Sequence, residues 1–186
     1  MAERPFGASA LLPNMADTLQ IAPYHPGWPQ CFEQTAATIL VALGELADQA
    51  IIEHIGSTAV PGLPAKPVID IMLGLPRLSD LEPYFPALAA AGFHHQPQMA
   101  AAMPDRHYFT QPAHLPRQVH LHAVTLDSDF WRDKLLFRDA LRADSALRER
   151  YAALKQQLAE QNGDDRAGYT EAKSGFINAA LAAAKR

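Results

Sequence analysis

Cysteine is almost missing: Cys31 is the only one in 186 residues, which excludes an internal disulfide and any zinc site built from several thiolates. The expected compartment is therefore the reducing cytoplasm. With Trp28 and Phe32 beside it, Cys31 reads as a packed small hydrophobe rather than a reactive thiol. Clustered basic charge is also lacking. The net charge is −4, and no Lys or Arg run exceeds the terminal Lys185-Arg186 pair. Bulk DNA or RNA is thereby disfavoured as a partner, whereas a small anion held by two or three local cations is not. Apolar runs such as those at 87–91 and 179–184 fall far short of the about 20 residues that span a bilayer, so no membrane association is expected. After Arg4 no sustained apolar stretch follows, which argues against a secretory signal. Residues 1–18 read as a flexible tail and 19–186 as a single domain, with no internal repeat to divide it.

Local patterns order the rest of the chain. Residues 19–24 read as a short edge strand, because Pro23 lacks the N–H that a central strand needs. From Pro29 to about Leu46, apolar residues at Phe32, Ala36, Ile39, Leu40 and Leu43 repeat every three or four positions and predict a helix. Two β-branched runs, 49–55 and 68–75, predict strands joined by a stiff loop containing Gly56, Pro61, Gly62, Pro64 and Pro67. In this reading Ile51 and Ile55 share one buried face, and Ile69 and Ile71 pack against them from the neighbouring strand. A helix over 78–91, irregular in its first half because of Pro83 and Pro86, ends at Gly92. Extended segments follow at 93–98, 106–111 and 118–126, with a turn at 112–116. Beyond Ser128 three helices are expected, separated near Asp144-Ser145 and Asn162-Gly163.

The chemistry concentrates in the loop between the first two strands. Gly56 leaves room for a ligand to approach the backbone, Ser57 and Thr58 add hydroxyl donors, and loop N–H groups can cradle phosphate oxygens. Asp70 follows on the next strand. His120 and His122 alternate with Leu121, so both project from one face, either as polar lining of a pocket or as ligands to a transition metal beside Asp70. Lys66 is either a flexible point charge for phosphate or a solvated surface lysine. Arg106, whose fork can grip an anion with two bonds, is the better anion candidate, or else a member of an ordinary surface ion pair. Tyr169 and Lys173 lie four apart on one helical face, either closing over the pocket or simply packed. Arg138 and Asp139 read as a packing pair, and His54 and His107 as weaker substrate contacts.

The stretch from His54 to Ile71 resembles the signature of the GrpB family. Tyr24-His25-Pro26-Gly27-Trp28-Pro29 is similar to that family's opening motif. Later motifs fall in the same order: Arg106-His107-Tyr108-Phe109, His120-Leu121-His122, the segment 137–142, the segment 151–155, and Tyr169-Thr170-Glu171-Ala172-Lys173. The likeness runs from about residue 19 to the C-terminus. It implies an α/β (α+β) fold, a nucleotidyltransferase-like mixed sheet with flanking helices and a C-terminal helical segment. In such folds a Gly-Ser turn holds nucleotide phosphates and nearby carboxylates hold a divalent metal, Mg or Mn. GrpB domains also occur fused to dephospho-CoA kinase.

Against that pattern the acids fall short. Nucleotidyl transfer with Mg²⁺ generally uses two or three carboxylates, two of them two residues apart on one strand face. Here the residues at that spacing from Asp70 are Val68 and Met72, and histidines stand where a third acid is expected. The leading expectation is a nucleotidyltransferase-like protein that binds a nucleotide or phosphorylated small molecule at Gly56, Ser57 and Thr58, with Lys66, Arg106, Tyr169 and Lys173 assisting and Asp70 as the catalytic carboxylate. Two alternatives stand beside it. One is a non-catalytic nucleotide-binding or regulatory module, and the other an enzyme holding a transition metal such as Zn with Asp70, His120 and His122.

Overall fold

The β-branched residues of Ile51–Ile55 (β1) and Ile69–Leu75 (β2) pair antiparallel and begin a five-stranded sheet. A computed structural model describes residues 21–114, 117–162 and 166–185, with the side chains of 162–171 also outside the description. The remaining strands are His94–His95 (β3), Arg106–Gln111 (β4) and Val119–Thr125 (β5). Their order across the sheet is β1-β2-β5-β4-β3, in which only the β2–β5 pair is parallel. The sheet is thus mixed, as the resemblance implies.

One sheet face is apolar. Ile69, Ile71, Leu73 and Leu75 of β2, with Leu121 and Phe109, pack against Trp28, Cys31, Ile39 and Leu43 of the first helix, Trp28–Leu43 (α1). Cys31 is buried there, as its neighbours suggest. The helix Phe85–Ala90 (α2) adds Leu88, after a 3₁₀ segment Leu78–Tyr84 that contains Pro83. Three helices follow at the C-terminal side, Asp129–Ala143 (α3), Ser145–Asn162 (α4) and Arg166–Ala184 (α5). On the opposite sheet face Ile55, Met72 and Val124 pack under Trp131 of α3. A further cluster joins Val60 and Leu63 of the loop to Leu141 of α3 and Tyr151 of α4, with Phe176 and Ile177 of α5 alongside. No described helix is long and apolar enough to cross a membrane.

Several expectations are corrected. Ile51 is 48% exposed, because β1 is an edge strand and this end of it is uncovered. Ile55 is buried, but Ile69 and Ile71 belong to the other face: the cross-strand partner of Ile55 is Asp70, and that of Ile71 is His54. The extended segment at 93–98 shrinks to two strand residues, since Pro97 opens a 3₁₀ turn over Pro97–Met99. The first helix stops at Leu43, where Gly44 takes a φ of 51°, and a 3₁₀ segment continues to Gln49. The edge strand at 19–24 reduces to one antiparallel bridge between Ala22 and Ala65, and Leu19 and Gln20, like the tail at 1–18, lie outside the described residues. Residues 115 and 116 of the expected turn lie outside them as well.

Candidate phosphate site

Strand alternation brings the polar residues together. On the face that carries Ile55, Asp70 lies beside His120, Met72 beside His122, and His122 beside Tyr108, with Arg106 one step further along β4. Asp70 Oδ1 accepts a hydrogen bond from His120 Nδ1 at 3.0 Å. Burial opposes ionisation of Asp70, but this bond, the His120 charge and Lys134 outweigh it and hold the carboxyl below its ordinary range. His122 lies between Tyr108 and Phe130, and burial pushes its imidazole down to about 3, so it is neutral. Its Nδ1 is buried without a partner.

At the end of β1 the chain turns through Gly56, whose φ of 72° lies in the left-handed region, and enters a 3₁₀ turn, Ser57–Ala59. A Cβ at Gly56 would collide with Asp70 Oδ2, so glycine here lets the loop lie directly on the carboxylate. Gly56, Ser57 and Asp70 line a cavity of about 260 Å³ whose opposite wall includes Lys134 of α3 and Lys173 of α5. Burial lowers the Lys173 ammonium to about 8. Lys134 is lowered too, by the same cause. Ser57 Oγ accepts from Lys155 Nζ at 3.0 Å, and the same nitrogen donates to Pro64 O. Lys155 is only 2% exposed, and burial, with the Lys173 charge, brings its ammonium down to about 7.

The other expected residues are spread more widely. Thr58 is buried, with its hydroxyl donating to Val68 O and accepting from His54 Nε2, so it supports the loop from behind. Lys66 is half-buried and is not among the residues lining the cavity. Arg106 donates Nε–H to Asp105 and lies with its guanidinium carbon 3.6 Å from the centre of the Phe130 ring. Arg106, His120 and His122 share the sheet face with Asp70 but do not line the cavity with Ser57, so the expected common pocket is narrower. The Tyr169 side chain lies outside the described residues. His107 projects to the other face and packs against Phe85 and His95.

Two lysines of the site, Lys134 and Lys155, escaped the sequence reading. The signals were there. Lys134, Arg138 and Arg142 recur every four residues on α3, a basic stripe turned toward the loop, where Arg138 donates to Glu53 and His54 O and Arg142 to Ala59 O. Lys155 follows Tyr151 by four and precedes Leu158 by three, which puts a charge on an apolar helix face.

A divalent metal fits these residues poorly. Asp70 is the only carboxylate lining the cavity, Met72 occupies the next position on its face, and Glu53, on the same face, is paired with Arg138. His120 turns Nδ1 into a hydrogen bond with Asp70 instead of sharing a common point with it. Among the described residues no three His, Cys, Asp or Glu side chains converge as metal ligands.

Solved structures define the class of fold. The chain is similar to the Cid1 poly(U) polymerase bound to MgGTP, with a TM-score of 0.50 at 14% identity over 74% of this chain and 44% of that one. The fold is nucleotidyltransferase-like. Residues 18–183 match the GrpB protein family, and the chain belongs to that family. The crystal structure of the conserved protein GrpB from Enterococcus faecalis superposes with a TM-score of 0.77 at 28% identity, over 89% of this chain and 96% of that one. A UPF0157 protein of Streptomyces coelicolor is 36% identical over 157 residues, 84% of this chain and 79% of its own length. A dephospho-CoA kinase of Mycolicibacterium paratuberculosis is 31% identical over 168 residues, which span 78% of this chain and 40% of that protein.

Proposed function

We propose that this chain binds a nucleotide or similar phosphorylated small molecule in the cavity at Gly56 and Ser57, and that its reaction class is nucleotidyl transfer to an acceptor. One observation carries the reading. A glycine-serine turn and two half-buried lysines, Lys134 and Lys173, meet at one cavity whose lining holds a single carboxylate, and the buried Lys155 reaches the same turn at Ser57 Oγ. Ammonium groups drawn part-way out of water at one wall of a cavity suit a phosphate, whose oxygens would accept from them in charge-assisted hydrogen bonds. Asp70, held ionised by its bond with His120, sets one wall, and its charge acts on Lys134 and Lys173 across the cavity. Arg106 and Lys66 belong to the surroundings of this site, and a cytoplasmic place of action suits the lone buried Cys31. The likeness to Cid1 supports the fold on which the reading rests and nothing finer.

Thermal unfolding and calorimetry test it, using ATP, GTP, CTP and UTP with chelator and again with Mg²⁺. Wild-type protein should gain several degrees in Tm with at least one triphosphate, because a ligand of the folded state stabilises it by mass action. Lys173→Gln should weaken that shift and Gly56→Val should abolish it. Equal shifts in wild type and both variants would place the ligand elsewhere.

A further inference from the structure

Lys155 is placed where a lysine is costly. Its Nζ meets Ser57 Oγ, Pro64 O and the Tyr151 ring, 4.9 Å away, and Lys173 of α5 acts on it as a like charge. Among the described residues no carboxylate pairs with it. A neutral amine satisfies this setting well. The ammonium donates to both Pro64 O and Ser57 Oγ; on losing a proton it keeps an N–H for Pro64 O and turns its lone pair to the Ser57 hydroxyl, so that the second bond reverses and Ser57 donates. A lysine desolvated in this way is a general base, and an adjacent hydroxyl is the group it can activate. Ser57 also lines the cavity in which the phosphate is read, beside Gly56 and opposite Lys134 and Lys173.

We propose that Ser57 is a nucleophile activated by Lys155, so that transfer proceeds through a nucleotidyl-serine intermediate on this chain. The proposal rests on the phosphate-site reading above. In the first step Ser57 Oγ bonds to the α-phosphorus of a nucleoside triphosphate. The bond from that phosphorus to the bridging oxygen breaks, pyrophosphate leaves with the electron pair, and the hydroxyl proton passes to Lys155 Nζ. Lys134 and Lys173 balance the charge on the phosphates. In the second step an acceptor hydroxyl, or water, bonds to the phosphorus as the bond to Ser57 Oγ breaks; Lys155 returns its proton to the departing Ser57 Oγ, and the acceptor's own proton passes to solvent. Lys155 does a base's work here, which the single carboxylate Asp70 is then not required to do.

The full-length protein is incubated with α-labelled ATP, GTP, CTP or UTP and denatured, and the adduct is read by intact-mass spectrometry and peptide mapping. One nucleotidyl group on Ser57, formed faster as pH rises through about 7, is the expected result. Ser57→Ala should carry none while keeping its melting temperature, and Lys155→Arg, which keeps donors but cannot give up its proton, should form it on the order of a hundredfold more slowly. If the adduct turns over too fast to accumulate, a triphosphate with a chiral thio group on the α-phosphorus gives retention for two displacements, and inversion would overturn the proposal. An adduct formed equally fast in Lys155→Arg overturns the dyad. Nucleotide-induced stabilisation with neither adduct nor retention overturns it and leaves the phosphate site standing, whereas no stabilisation by any triphosphate overturns both.

Discussion

Gly56 shows how much one missing Cβ can decide. At a φ of 72°, with Asp70 Oδ2 where a side chain would begin, any substitution strains the backbone and pushes on the carboxylate. Gly56→Ala is expected to cost about 1–3 kcal/mol in urea unfolding and to remove triphosphate-induced stabilisation. His54 makes a different prediction. Its ring stacks on Phe32 with centroids 4.8 Å apart and its Nε2–H donates to Thr58, and burial lowers its imidazole to about 4. The folded state therefore takes up fewer protons than the unfolded chain between the ordinary value of 6.5 and about 4. The stabilisation is complete above that window and is lost as pH falls through it, on the order of 3 kcal/mol in all. Chemical denaturation from pH 7 to pH 4 should show this loss in wild type and a smaller one, by about that amount, in His54→Gln. Gly56, Ser57 and Asp70 were legible in the sequence because their chemistry is local. The burial of Thr58 was not, since only folding shows that its hydroxyl is committed to Val68.

Among the elements, α3 does most to build the site. Ser128 caps it by accepting from Trp131 N, and Trp131 then reaches the sheet over Gly74, where an added Cβ would meet Leu126 and Trp131. Gly74→Ala should lift α3 from β2 at a cost of about 1–3 kcal/mol, measured by denaturant unfolding. Because Lys134 rides on α3, the same substitution should also weaken triphosphate binding. Helical periodicity located α1 and α3 in the sequence, and β-branched runs located β1, β2 and β5. The short β3 was overextended because period-two patterning says little about where Pro97 diverts the chain. The pairing of β2 with β5 had no local signal, yet it is what sets His120 beside Asp70.

At the scale of the whole molecule, α4 and α5 do not form a separate layer; they close on the loop at Val60 and Leu63 through Tyr151 of α4 and Phe176 and Ile177 of α5, beside Leu141 of α3. Residues 19–186 should accordingly unfold as one cooperative unit, with near-UV and far-UV circular dichroism giving coincident transitions. Tyr151→Ala, at a residue 5% exposed, should lower stability by about 3–5 kcal/mol. It should also impair triphosphate binding, because Lys155 packs on the Tyr151 ring. Separate transitions for the sheet and the C-terminal helices would refute the single-domain expectation.

The sequence by itself determined the secondary structure in outline, the Gly56-Ser57 turn, the isolation of Asp70 from a second acid, and the family. Each depends on neighbours within a few residues, or on motifs in order along the chain. Only the tertiary structure decided which sheet face Ile69 and Ile71 occupy, that Asp70 bonds His120 across 50 residues, and that Lys155 meets Ser57 across 98. Contacts of that span depend on the path of the whole chain, and backbone preferences confined to one segment carry no record of it.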